Sequence, residues 1–291
     1  MCSVPVVLRM YRLGCALLLF GECAKAIPAM HDSENQATKD LLKREVGVCN
    51  LSGLFGATDS DSDGGAFEQV YEVKSFVVCD VPMLIRQFSW HSANANQIWP
   101  GTVTLAEYLS LDCNQGLLLS GRVLELGSAT GALAIFLLKR NAECDIVTSD
   151  IDDGGDVEEN IKHNFAINGL PQRLHVAYSW GAPFEEARAA AARRFLHQCS
   201  SSSSSSSSSG FEIAHIIASD ILLYVSAFPA LVKSLLALFA PPYSAHSFIM
   251  SWERRIDVSL FFALMVDAGF SCRSDGRAIF VFTRPPEGRD L

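Results

Sequence analysis

The residues best suited to chemistry lie in one short run, Val123-Leu124-Glu125-Leu126-Gly127-Ser128-Ala129-Thr130-Gly131-Ala132, and in Asp150 beyond it. Apolar residues, then small ones, then an apolar helical pattern mark a strand-to-helix junction. Small residues there let the backbone approach a ligand closely, and the unpaired N–H groups of a helix start attract negative charge. The spacing excludes two nucleotide motifs. Read from Gly127, the G-x-G-x-x-G fingerprint meets Ala129 and Ala132 at its other glycine positions, and no Gly-Lys-Ser/Thr follows as a P-loop would need. Glu125, two residues before Gly127 at a strand end, suits a positive ammonium group rather than a pyrophosphate. Asp150 closes the next strand, where a carboxylate can accept hydrogen bonds from both hydroxyls of a ribose. Together these features ask for an amine, a carboxylate and a ribose in one ligand.

S-adenosylmethionine (SAM) carries all three. The run Glu125-Leu-Gly-Ser-Ala-Thr-Gly131 resembles the first motif, E/D-x-G-x-G-x-G, of the class I, seven-β-strand methyltransferases, with Ala129 in place of the middle glycine. Over about residues 67–284 the chain is similar to methyltransferase family 16, the methyltransferase-like protein lysine methyltransferases. Further pieces carry that resemblance: Gln97-Ile98-Trp99-Pro100, Glu159-Asn160-Ile161 with Asn164, Ser179-Trp180-Gly181 and Ala218-Ser219-Asp220. The resemblance implies that Trp99, Asp150, Trp180 and Ser219 line the SAM pocket, beside Glu125, Gly127, Ser128 and Gly131 of the first motif. It implies methyl transfer to a protein side chain, lysine first, with Asp220 as the candidate catalytic residue that orients an acceptor amine. One departure bears on the acceptor. Lysine methyltransferases of the family commonly carry D-x-x-Y after the fourth strand, and here Leu223 holds the tyrosine position with Tyr224 one residue late. The N-P-P-Y motif of amide and adenine methylators is absent. An arginine- or small-molecule-directed enzyme of the same fold stays open, as do a nucleotide-dependent oxidoreductase and an inactive SAM-fold interaction module. Asp150 and Asp220 also read as caps of the helices that follow them, and Tyr224 reads as packing.

The elements that must position these residues follow from periodicity. Phe67 to Ser89 reads as a β-hairpin broken at Asp80-Val81-Pro82, and Thr102 to Leu111 as a helix. Strands are expected at 122–126, 145–149, 174–178, 213–219 and 247–252, and helices at 132–140, 156–168, 228–239 and 258–268. Two closing strands, 270–274 and 278–283, flank the turn signal Asp275-Gly276. Repeated βα units predict an α/β fold: a Rossmann-like, doubly wound, mostly parallel seven-stranded sheet with an antiparallel C-terminal hairpin, preceded by an N-terminal β-hairpin. Residues 1–66 read as a poorly ordered extension and linker, with Ala57 to Gly65 small, polar or acidic throughout. The domain proper is 67–291, and 185–210, with its serine run Ser200 to Ser209, reads as a low-complexity surface insertion.

Composition narrows the partners. With 291 residues and 49% hydrophobic content the chain can bury a substantial core, and its net charge of −9 disfavours nucleic acid. Nine cysteines without a C-x-x-C pair, and histidines without ligand spacing, point to free thiols in a reducing compartment and to no metal. Arg9 and Arg12 before the apolar run Leu13 to Phe20, then Ala24-Lys25-Ala26, resemble a secretory signal, but the run is too short to span a bilayer. The expectation is a cytoplasmic monomer, with the nucleus also open, that acts on a protein substrate.

Overall fold

The structure, a computed structural model, describes residues 71–198, 211–253, 256–276 and 278–285. The signal-like segment, the linker at 57–65 and the serine run lie outside the described residues. The described part begins with a hairpin, β1 (Tyr71–Val78) and β2 (Val81–Phe88), paired from Tyr71↔Phe88 to Val78↔Val81. Its turn is Cys79-Asp80, with φ of 45° and 64°, the positive values a two-residue turn needs to follow the strands' twist. The break therefore falls earlier than Asp80-Val81-Pro82, and Pro82 stands inside β2. Its missing N–H leaves the ladder intact, because the backbone N–H groups of Leu84 and Arg86, on the same parity, face away from β1 toward Asn168 and Asn164.

The large sheet contains β3 (Val123–Leu126), β4 (Ile146–Asp150), β5 (His175–Ala177), β6 (His215–Ser219), β7 (Ser247–Ser251), β8 (Ser271–Ser274) and β9 (Ile279–Thr283). Its order is β5-β4-β3-β6-β7-β9-β8; the first five are parallel, and β9 runs antiparallel to both neighbours. The connecting helices are α1 (Pro100–Leu109), α2 (Ala132–Arg140), α3 (Asp156–Ile167), α4 (Phe184–Gln198), α5 (Phe228–Phe239) and α6 (Ser259–Asp267). This is the Rossmann-like, mostly parallel seven-stranded architecture expected from the sequence. Short 3-10 turns at Gln115–Leu119 and Val225–Ala227 had no periodic signature.

Alternation along each strand builds two cores. Val123, Ile146, Ile217, Ile249 and Ile279 face the layer of α1, α2 and the hairpin. Leu124, Val147, Ile216, Phe248 and Phe282 face the layer of α5 and α6. Helix α2 is buried from Ala132 to Leu138, as its all-round apolar sequence demands. The stretch 185–198, expected as part of a surface insertion, is instead helix α4, anchored by buried Phe184 and Ala191. Alanine, arginine and glutamate are strong helix formers, and Glu185 and Glu186 favour its first turn.

The strand order reverses at β3: β4 and β5 lie on one side of it, and β6 and β7 on the other. Such a switch point opens a crevice outside the strands' carboxyl ends, where Gly127, Asp150 and Asp220 follow β3, β4 and β6. The sheet behind it is held by an aromatic cluster in which Phe261, fully buried, meets Phe228 and Phe282 at 5.8 Å each. Phe261→Ala is expected to lower unfolding stability by about 3–5 kcal/mol in urea denaturation. A loss under about 1 kcal/mol would mean that this cluster does not anchor the sheet.

Candidate functional site

The turn after β3 is tightly specified. Gly127, Ala129 and Gly131 all have positive φ, at 68°, 48° and 74°. Glycine adopts this region freely; for alanine it costs roughly 1–2 kcal/mol, so the turn persists only because its neighbours over-determine it. Ser128 and Ser149 bond reciprocally: the Ser128 amide donates to the Ser149 carbonyl at 2.9 Å, and the Ser149 amide to Ser128 Oγ at 3.1 Å. The Gly131 amide donates to the Ser128 carbonyl at 2.7 Å. The Ala129 amide donates to Asp150 Oδ2 at 2.7 Å, and the Ile151 amide to Oδ1 at 2.8 Å. Asp150 is thus fixed to the turn rather than capping α3; Asp153 accepts from the Gly155 and Val157 amides at the start of that helix instead.

A partly open cleft lies over this turn. Six of the residues singled out from the sequence line it: Trp99, Gly127, Asp150, Trp180, Ser219 and Asp220. The other three do not reach its wall. Glu125 is 2% exposed, Ser128 is 4% exposed, and Gly131 begins α2 against Ile161. These three shape the turn from behind.

Asp220 has a different role from a cap on the helix after it. It is buried, with φ 53°; Oδ2 accepts the Gly101 amide at 2.7 Å and Oδ1 accepts the Glu253 amide at 2.9 Å. It therefore caps α1, which precedes it by more than a hundred residues, and ties that helix to the end of β7. A Cβ on Gly101 would stand 2.7 Å from the Asp220 carboxyl carbon, so only glycine allows this approach. Ser219 Oγ pairs with Thr102 Oγ1 at 3.0 Å beside it.

The loop between β2 and α1 closes another side. His91 stacks on Phe88 at 5.1 Å and lies 3.2 Å from Asp153 through Nε2. The Ala93 amide donates to His91 Nδ1 at 3.2 Å, which makes Nε2 the protonated nitrogen that donates to Asp153. Burial works against the Asp153 charge, but hydrogen bonds from His91, Gly155 and Val157 outweigh it and lower its pKa. Asn94 then reaches across the cleft: its Nδ2 donates to Tyr224 Oη at 2.6 Å, and its carbonyl accepts Trp99 Nε1 at 2.9 Å. Tyr224, read as packing, lines the cleft together with Leu223 and Ile221.

Several lining residues escaped the sequence reading. Ile151 and Tyr178 directly follow strand ends, so the rule that crevices open at carboxyl ends could have found them. Ala93 and Asn94 belong to no strand end, and only the tolerance of asparagine for its φ of 56° hinted at a special backbone.

Burial raises the pKa of two acidic groups at this turn. Burial raises Glu125 to about 8, opposed by a Ser128 hydrogen bond and reinforced by the Asp150 charge. Its Oε2 is buried without a hydrogen-bond partner. Burial likewise raises Asp150 to about 6 against the bonds from Ala129 and Ile151.

A carboxyl raised on folding makes the folded state bind more protons than the unfolded one. Stability should therefore fall as pH rises from 4.5 to about 8 through Glu125. Glu125→Gln is expected to flatten the upper part of that slope, leaving the part below about pH 6 that Asp150 supplies. Urea unfolding across this range reads it, and an unchanged slope above pH 6 would contradict a buried neutral Glu125. Gly127→Ala forces a side chain onto φ 68° and places its Cβ 2.7 Å from Ile221 Cγ2. It should cost at least about 1–2 kcal/mol in the same assay; a neutral substitution would refute the turn geometry.

Comparison with known proteins bears on the same segment. The family model described as lysine methyltransferase matches residues 80–192. The protein-lysine N-methyltransferase EFM3 of Chaetomium thermophilum is 29% identical over 140 residues, which cover 47% of this chain and 36% of that protein. The matched part thus spans about a third of the curated relative's length. Among solved structures, a 16S rRNA methyltransferase, RsmC, of T. thermophilus in complex with AdoMet and guanosine superposes with a TM-score of 0.48 at 14% identity, covering 78% of this chain and 53% of that one. An O-methyltransferase family protein from Burkholderia thailandensis gives 0.38 at 14% identity, covering 64% and 56%. The fold rests on the strand order above rather than on these likenesses. The matched segment contains the hairpin's second strand, the turn after β3, Asp150 and Trp180, and over that segment the chain is similar to the lysine methyltransferase family.

Proposed function

We propose that this domain binds SAM and transfers its methyl group to a protein lysine side chain. The observation that carries the reading is the pairing of two strand ends: the strained Gly127–Gly131 turn and the Asp150 carboxylate, joined by one 2.7 Å bond at the wall of a cleft. The match of residues 80–192 to lysine methyltransferases supports the acceptor class.

The residues present fit such a donor. Gly127 and Ala129 of the turn line the cleft where the amino-acid end of such a donor would lie, with the buried Glu125 behind them. Asp150 presents a carboxylate for ribose hydroxyls, and Trp99 and Trp180 supply flat apolar walls. When bound, SAM supplies a methyl group on a positively charged sulfur, already activated for in-line displacement. What remains for the chain is alignment and exclusion of water. A lysine acceptor must lose its proton first. With an ordinary pKa of about 10.4, roughly one in a thousand is neutral near pH 7.4. Ile221, Leu223 and Ala227 line the cleft beside Tyr224 and make that side poor in hydration, which favours the neutral amine. Asp220 stands at the same wall with both oxygens on backbone amides, and we assign it the role of fixing that wall's position for the incoming amine.

Free cysteines at 79, 113 and 144 support a reducing, cytoplasmic location. Among the described residues no helix is long and apolar enough to cross a membrane.

The test is incubation with SAM bearing a labelled methyl group and a fractionated proteome, followed by mass spectrometry of the labelled products. Label on lysine Nζ is expected. Label confined to arginine or to a small molecule would overturn the acceptor assignment, and no label transfer with no SAM binding would overturn the enzyme assignment.

A further inference from the structure

The asparagines of α3 do work that the proposed chemistry leaves unassigned. Asn160, Asn164 and Asn168 are spaced one helical turn apart on the face toward β2. Asn168 pairs with the backbone of Leu84, accepting its amide at 3.1 Å and donating to its carbonyl at 2.6 Å. Asn164 does the same for Arg86, at 2.7 and 3.1 Å. The outer edge of the hairpin is thus completed by side chains instead of by another strand.

Asn164 does one thing more. Its Nδ2 also donates to the carbonyl of Thr130 at 3.0 Å. Thr130 is 1% exposed and lies just before α2, whose first backbone bond runs from the Ile135 amide to the Gly131 carbonyl. The Thr130 carbonyl therefore stands outside the helix ladder, and a buried carbonyl needs a donor. Its neighbour Ala129 carries the 48° φ that alanine resists, together with the amide that holds Asp150.

We infer that Asn164 is a positioning residue that locks the strained Ala129–Thr130 turn in its cofactor-binding form, so that docking of the β1–β2 hairpin and binding of the nucleoside are one coupled event. The ligand-binding half of this inference rests on the SAM reading; the locking of the turn does not. Two features separate Asn164 from ordinary packing. Asn168 belongs to the same ladder and touches the same hairpin, but does not reach the turn. The strain that Asn164 opposes sits on a single residue, and glycine at that position would remove it.

The experiment compares Asn164→Ala, Asn168→Ala, Ala129→Gly and the double variant Ala129→Gly/Asn164→Ala, each checked for folding by circular dichroism. Amide hydrogen exchange of ligand-free protein reads the turn, and calorimetry with S-adenosylhomocysteine reads binding. Asn164→Ala should speed exchange across residues 127–131 and weaken binding by at least about fivefold, while Asn168→Ala should leave both within about twofold of the native protein. Ala129→Gly should restore most of the binding lost in Asn164→Ala. The inference is overturned if Asn164→Ala and Asn168→Ala behave alike in exchange, or if Ala129→Gly gives no rescue while the native protein binds. If the native protein binds no S-adenosylhomocysteine, the SAM reading fails, and the exchange comparison alone decides whether Asn164 locks the turn.

Discussion

At the junction of β3 and β4 the backbone of Ala129 is held against Asp150 by a 2.7 Å hydrogen bond, with the residue in a conformation that alanine avoids. Everything else at this end of the sheet serves that contact. The parallel register of Leu126 with Ser149 brings the two strand ends level. The reciprocal Ser128–Ser149 bonds fix the distance between them, and the Ile151 amide orients the carboxylate. A turn shaped by so many partners is preorganised, so a ligand that uses it has little ordering left to provide.

The same end of the sheet is tied to distant parts of the chain by buried polar bonds rather than by apolar contact alone. Asp220 joins the end of β6 to the start of α1 and to the segment after β7. Asn94 spans from the loop after the hairpin to Tyr224. Such bonds are directional, and within a buried setting an unmet partner is costly. They fix where the walls of the cleft stand, whereas the apolar layers on the two faces of the sheet supply most of the stability. Glu125 and Trp252 are exceptions, since among the described residues Glu125 Oε2 and Trp252 Nε1 are buried without a hydrogen-bond partner. An uncompensated polar atom in an otherwise satisfied setting is the feature most easily explained by a function.

Much of this was legible in the sequence, for identifiable reasons. Strands β3, β4, β6 and β7 are alternating or continuous apolar runs between turn signals, and their faces follow from period two. The turn after β3 could be recognised because its residues are small and two of its three positive-φ positions, Gly127 and Gly131, are glycine. Three things were hidden. The true break in the hairpin at Cys79-Asp80 carries no glycine or proline. Helix α4 was masked by its junction with the serine run. The role of Asp220 depends on Gly101, far away in the chain, and no local pattern records such a pairing. The late Tyr224 still lines the cleft, because Asn94 holds its hydroxyl from the opposite side.

The central claim is that the paired ends of β3 and β4 grip the methyl donor. Diffraction from crystals grown with S-adenosylhomocysteine tests it most directly. The ribose hydroxyls are expected on the Asp150 carboxylate and the amino-acid end over the Gly127–Ala129 turn. A ligand lodged elsewhere on the protein, or a cleft that stays empty at saturating concentration, would contradict it.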